Sequence, residues 1–152
     1  MVGGITGHND TAHTIYTYNF GSVTGTEYVG GIVGNNSSGT TGGTSTIQNC
    51  YNVTEDIIAN NYKGAICGRS YGSNYTTADI FSSYYFKINS SIYGVGGKTS
   101  TTGNNDGCTA YSDIDSMPTI MSVINGNNAF VEDTEGINNG YPLLAWQVQT
   151  SE

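Results

Sequence analysis

β-Branched and aromatic residues stand in short runs along this chain, separated by clusters of Gly, Asn, Ser and Thr, which is the pattern of strands broken by turns. One run recurs: Val2-Gly3-Gly4-Ile5-Thr6-Gly7, Val29-Gly30-Gly31-Ile32-Val33-Gly34 and Lys63-Gly64-Ala65-Ile66-Cys67-Gly68. A second register accompanies it, with Tyr18-Asn19-Phe20, Tyr51-Asn52-Val53 and Tyr84-Tyr85-Phe86 at an even spacing of 33 residues. Units that recur at this period cannot bury an apolar face alone and stack on copies of themselves. From Gly7, Gly34 and Gly68 to Tyr18, Tyr51 and Tyr84 of the second register the distances are 11, 17 and 16 residues, while from Tyr18 and Tyr51 to the next motif glycine they are 12 and 13. One side of the repeat is therefore constant and the other accepts insertions. The expected fold is an all-β parallel solenoid of about three to four coils.

Side chains alternate across a strand, so Ile5, Ile32 and Ile66 are expected as one inward column. Gly3, Gly30 and Gly64, with Gly7, Gly34 and Gly68, are the expected corners. Tyr18, Tyr51 and Tyr84 share a face with Phe20, Val53 and Phe86 and are read as core on a second wall. Residues 1–97 form the repeats, and 98–115 read as a polar loop. Met117, Ile120, Met121 and Ile124 then predict a short helix over 116–125, capped by Ser116, with Pro118 in its first turn and Gly126 past its end. A helix this short must pack on something. With a strand at 141–147 holding Trp146, it is expected to form a cap, residues 116–147, over the open last coil, before a tail at 148–152.

The hexapeptide copies, with runs such as Gln48-Asn49-Cys50-Tyr51-Asn52-Val53-Thr54, resemble the GLUG repeat of bacterial extracellular proteins. The segment Asn138-Asn139-Gly140-Tyr141-Pro142-Leu143-Leu144-Ala145-Trp146-Gln147 is similar to the one that closes such arrays in large surface proteins. The resemblance covers about residues 1–97 and that closing segment. It implies a right-handed β-solenoid in a secreted or wall-attached bacterial protein, and carries no catalytic residues. Lys63, Ala65 and Cys67 depart from the family pattern. Because the chain opens within a repeat, it is expected to be a piece of a longer array.

Charged residues make up 11% of the chain, against about 25% in ordinary soluble domains. The net charge is −8, with Lys63, Arg69, Lys87 and Lys98 the only basic residues. Nucleic acid is excluded as a partner, since phosphate binding needs clustered cations, and no run is long and apolar enough to insert in a membrane. Cys50, Cys67 and Cys108 show no metal-binding spacing; Cys50 and Cys67 lie in strand-like runs and read as buried free thiols, with an oxidised pair among the three as the alternative. No metal or cofactor is expected.

Two activities compete with a passive role. A β-helix polysaccharide lyase or hydrolase aligns acids on neighbouring coils, yet Asp10, Glu27, Asp56 and Asp79 do not recur in register, and His8 and His13 read as part of an N-terminal loop. Head-to-tail stacking would instead build a filament. The favoured reading is a non-catalytic extracellular structural or adhesion module that meets a glycan or a host or surface protein. Its candidate contact surface is the inserted stretches 35–45 and 69–79, with Asn35, Asn36, Arg69, Tyr71 and Tyr75.

Overall fold

The computed structural model describes residues 1–39, 43–72, 77–88, 91–97 and 106–148. The chain is mostly β, built on parallel sheets, with one short helix near its C-terminus. The first repeat contributes β1 (Val2–Gly3), β2 (Thr6–Asp10), β3 (His13–Ile15), β4 (Tyr18–Asn19) and β5 (Val23–Thr24). The second contributes β6 (Glu27–Gly30), β7 (Val33–Ser37), β8 (Thr44–Gln48), β9 (Tyr51–Asn52) and β10 (Ile57–Ile58). The third contributes β11 (Asn61–Gly64), β12 (Cys67–Tyr71), β13 (Thr77–Phe81) and β14 (Ser83–Phe86), and β15 (Cys108–Tyr111) follows. Equivalent strands pair across repeats, giving parallel sheets β1-β6-β11, β2-β7-β12, β3-β8-β13, β4-β9-β14-β15 and β5-β10. Residues 93–97 add a partial fourth level, where Cys67 bridges Val95 and the Ile66 and Cys67 N–H groups donate to Gly94 O at 2.9 and 3.0 Å.

The Gly-Gly-Ile motif is the bend between the first and second sheets, not the middle of a strand: Gly4-Ile5, Gly31-Ile32 and Ala65-Ile66 are the bend residues. The glycine before each bend is required by crowding. A Cβ on Gly3, Gly30 or Gly64 would stand 2.1, 1.9 or 2.0 Å from the carbonyl oxygen of Thr6, Val33 or Cys67, far inside contact distance. Gly7, Gly34 and Gly68 instead lie within the second sheet. Ile32 and Ile66 are 0% exposed, as expected of core, but Ile5 is 47% exposed. It joins β1 and β2, which are both edge strands, so a repeat covers it on one side only.

Strand register defines the inward columns. Thr6, Val33, Cys67 and Val95 form one, and Thr14, Ile47 and Ile80 another. Both become apolar after the first repeat, whose Thr6 and Thr14 hydroxyls meet at 3.4 Å. Between them run buried polar ladders: Asn9 Nδ2 donates to Asn36 Oδ1 at 2.7 Å, Asn36 Nδ2 to Ser70 Oγ at 3.4 Å, and Asn19 Nδ2 to Asn52 Oδ1 at 3.1 Å. Equivalent amides stacked at strand spacing satisfy one another, which removes most of the cost of burying them. The three thiols are free and buried. Burial pushes all of them up, Cys67 to about 12.

Tyr18, Tyr51 and Tyr84 share a face with Phe20, Val53 and Phe86 as the alternation predicts, but that face is the outer one. Asn19, Asn52 and Tyr85 point inward. The aromatic face becomes core because the C-terminal segment lies along it. Helix α1 (Met117–Ile124) buries Met117, Ile120 and Ile124 there, together with Phe130. Strands β16 (Phe130–Val131) and β17 (Leu143–Leu144) pair antiparallel beside it. Cover of the open last coil is therefore corrected to cover of a side wall that reaches back to the first repeat, where Tyr18 Oη donates to Gln147 Oε1 at 2.9 Å. Tyr51, fully buried, donates to the Pro142 carbonyl and accepts from Asn138 Nδ2 at 3.3 Å. Burial, then the neighbouring Tyr18, pushes the Tyr51 hydroxyl far up, so it remains a donor.

Three local expectations change. Ser116 does not cap the helix by its side chain; its N–H and hydroxyl both donate to Asp113 Oδ1 at 2.9 Å. The expected strand over 141–147 is two residues followed by a 3-10 turn, Ala145–Gln147, and Trp146 is 68% exposed. Within the stretch read as a polar loop, Cys108–Tyr111 is β15, an edge strand of the fourth sheet.

Candidate functional site

Register places His8, Asn35 and Arg69 in one column of the second sheet, and Asp10, Ser37 and Tyr71 in the next column on the same face. Arg69 is where this face becomes aromatic. Its guanidinium carbon lies over the Tyr28 ring at 5.0 Å and over the Tyr71 ring at 5.1 Å. Tyr28 in turn meets Tyr62 of the next repeat, centroid to centroid, at 5.0 Å. The contact is possible because Tyr28 and Tyr62 both adopt left-handed backbone, with φ of 50° and 53°, at equivalent places in β6 and β11. Such a conformation costs a non-glycine residue about 1 kcal/mol or more.

Tyr62 also lines a surface depression of about 240 Å³ with Asn60, Asn61, Lys63, Ser91 and Tyr93. On its far side the Lys87 ammonium sits over the Tyr93 ring at 5.9 Å. The links run Tyr71, Arg69, Tyr28, Tyr62, Lys63, Tyr93, Lys87. Every basic residue among the described residues thus lies on one band with four tyrosines, in a chain whose net charge is −8. Cations over ring faces are held by the ring quadrupole while their N–H donors stay in plane or at the tip. The band can therefore offer apolar ring area and hydrogen-bond donors to the same ligand.

Comparison with protein-family models, with curated proteins and with solved structures finds no match to this chain.

Of the residues expected at a contact surface, the structure brings Arg69 and Tyr71 together, with Tyr71 38% exposed. Tyr75 lies outside the described residues. Asn35 and Asn36 are corrected: both are buried in β7, Asn36 completely as a rung of the interior amide ladder, and Asn35 between His8 and Arg69 with its Nδ2 donating to Ser37 Oγ at 3.3 Å. The inserted stretches are shorter as loops than expected, since residues 35–37 and 44–45 are strand, as are 69–71 and 77–79. Tyr28, Tyr62, Tyr93, Lys63 and Lys87 were not expected at a site. The available signal was Tyr28-Val29-Gly30 against Tyr62-Lys63-Gly64, a tyrosine two residues ahead of the motif glycine in both repeats.

Elsewhere the chemistry is scattered. Asp10, Glu27 and Asp79 lie on β2, β6 and β13 in three different sheets, and Asp56 precedes β10. His8 and His13 stand in strands rather than a loop, bonded at 2.7 Å to the hydroxyls of Ser37 and Thr46. Among the described residues, no group of three or more His, Cys, Asp or Glu side chains could hold a metal ion, and no helix is long and apolar enough to cross a membrane.

Proposed function

We propose that this chain is a non-catalytic module of the GLUG-repeat kind, a right-handed β-solenoid working outside the bacterial cell as a rigid scaffold that contacts a glycan or a surface protein. In-register parallel pairing across three repeats supports the winding, because each turn brings the chain back one strand spacing along the axis. The observation that carries the contact role is the tyrosine and cation band, which gathers scarce basic residues on an exposed side wall. Strands β6, β11 and β12 hold Tyr28, Tyr62, Lys63, Arg69 and Tyr71, so binding would cost little ordering of the backbone there.

A filament is less well supported. Gly94, Val95, Gly96 and Gly97 at the last level are buried, with Val95 at 0% exposure, so this corner does not stand ready for another copy.

The test is an array of glycans and matrix proteins probed with the wild-type chain and with Tyr62→Ala and Tyr71→Ala together. A bound class that is lost in the variant, with an unchanged thermal melt, is the expected result. An identical binding pattern in both proteins removes the band from the function.

A further inference from the structure

We infer that the depression between Tyr62 and Tyr93 is a subsite for one neutral pyranose, a single hexose unit of a glycan that lies across it. This rests on the contact role proposed above and deepens it. Three features select the ligand. The first is size. A depression of about 240 Å³ is smaller than the roughly 300–1,000 Å³ of pockets for drug-sized ligands, so it admits one sugar ring and leaves the rest of a glycan outside. The second is the set of polar groups. Asn60, Asn61, Ser91, Tyr62 and Tyr93 bring two carboxamides, a serine hydroxyl and two phenols to the lining. None of these side chains hydrogen-bonds to another of the described residues; only the Asn60 and Asn61 backbone N–H groups are engaged, donating to Thr26 O at 3.1 and 3.3 Å. Groups that both donate and accept suit sugar hydroxyls, which do the same.

The third feature is the pair of rings. Tyr62 meets Tyr28 centroid to centroid at 5.0 Å, and the Lys87 ammonium lies 5.9 Å from the Tyr93 centroid. Neither Tyr28 nor Lys87 lines the depression, so each ring is braced from outside it. Rings held in this way lose little freedom on binding, and their apolar faces suit the C–H faces of a pyranose. Ala59 and Ile92 add apolar lining between them. Charge decides between neutral and acidic sugars. Lys63 is the one charged residue on the lining, and it is exposed. A single exposed ammonium gains little from an ion pair, and a chain of net charge −8 repels anions as they approach. The same ammonium donates to a sugar hydroxyl without that penalty.

The experiment titrates the whole chain, by saturation-transfer NMR, with the methyl pyranosides of glucose, galactose and mannose and with that of glucuronate. The expected result is binding of at least one neutral pyranoside with a Kd on the order of 1 mM, the affinity that the few heavy atoms of one ring sustain. Added salt should leave it unchanged, because no charges pair. Tyr93 is 47% exposed, so Tyr93→Ala leaves the core intact; it should weaken binding at least about fivefold through the lost ring, as should Asn60→Ala with Asn61→Ala through the lost amides. Tyr71→Ala, at the far end of the band, should change nothing. Binding that Tyr93→Ala and the asparagine double variant leave unaltered overturns the inference, as does tighter binding of the glucuronate than of the glucose pyranoside; the contact role stands in both cases. No binding of any neutral pyranoside, by a chain whose thermal melt is native, also overturns it, and the array of glycans and proteins then decides the contact role separately.

Discussion

Replacing each motif isoleucine by alanine in turn separates position in the motif from position in the fold. Ile32 and Ile66 are 0% exposed and Ile5 is 47% exposed, although all three hold the same place in the motif, after Gly3-Gly4, Gly30-Gly31 and Gly64-Ala65. Ile→Ala removes three carbons, about 2.4 kcal/mol at roughly 0.8 kcal/mol per buried methylene. At Ile32 a cavity cost is added, because the backbone cannot collapse: its N–H donates to Ile66 O at 3.0 Å and its carbonyl accepts from Ile5 and Thr6 at 3.0 Å each. The expected loss is about 3–4 kcal/mol for Ile32→Ala and for Ile66→Ala. At Ile5 about half of the transfer energy is already forgone and no closed cavity forms, so the loss is about 1 kcal/mol. Urea unfolding followed by circular dichroism at constant m-value measures the difference, and melting points should fall by about 10 °C against about 3 °C. Equal losses at positions 5 and 32, or a loss below about 1 kcal/mol at position 32, would refute the core placement.

Two further outcomes follow from buried thiols and from one carboxylate. All three cysteines should resist a thiol reagent at pH 8 in the native chain and react together in denaturant, since burial keeps each thiol protonated and out of reach; native labelling of even one thiol contradicts this. Desolvation pushes the Asp133 carboxyl up, but N–H donation from Gly140, Asn138, Ile137 and Gly136 reverses this and holds it below the usual carboxylate range. Its stabilising contribution is complete above the unfolded value, about 3.9, and is lost as pH falls through the lower folded value. Asp133→Asn should therefore flatten stability against pH between about 5 and 2, measured by urea unfolding, and an unchanged slope rejects the role.

Repetition made the strand order and the bend glycines Gly3, Gly30 and Gly64 legible, though not that Gly7, Gly34 and Gly68 lie within strands, because two registers at nearly constant spacing leave few ways to stack the chain. Which side of a strand faces inward was only partly legible. Tyr18, Tyr51 and Tyr84 are the bulkier apolar set, and alternation alone assigns them to the interior. The interior instead takes Asn19 and Asn52, whose amides pair across repeats at 3.1 Å, and Tyr51 finds its burial under the C-terminal segment. A ladder of identical polar groups can be an inward column, and hydrophobicity does not reveal it. Asn35 and Asn36 were misread for the same reason: polar residues in a stretch of variable length resemble a loop, yet they are rungs of β7. The band was hidden because it depends on left-handed backbone at two tyrosines, a conformation no tyrosine signals.

The backbone outliers and the motif glycines belong to one arrangement. A Cβ on Gly68 would stand 2.4 Å from the Tyr28 carbonyl carbon, and one on Gly34 would stand 2.9 Å from the Tyr28 oxygen. The glycine in the second sheet is what lets the first sheet's strand press against it at the point where that strand turns left-handed. Strain of about 1 kcal/mol or more at each tyrosine is tolerable only where surrounding packing over-determines it. The packing here is the buried wall of Val29, Ile32, Val33 and Ile66, each 0% exposed. A strand relaxed to ordinary dihedrals would turn the Tyr28 ring away from Arg69 and from Tyr62, dispersing the band while leaving the interior columns in register. The constant wall of the repeat therefore does two things with one motif: Ile32 and Ile66 close the core, and the glycines set the angle at which tyrosines and cations face the solvent.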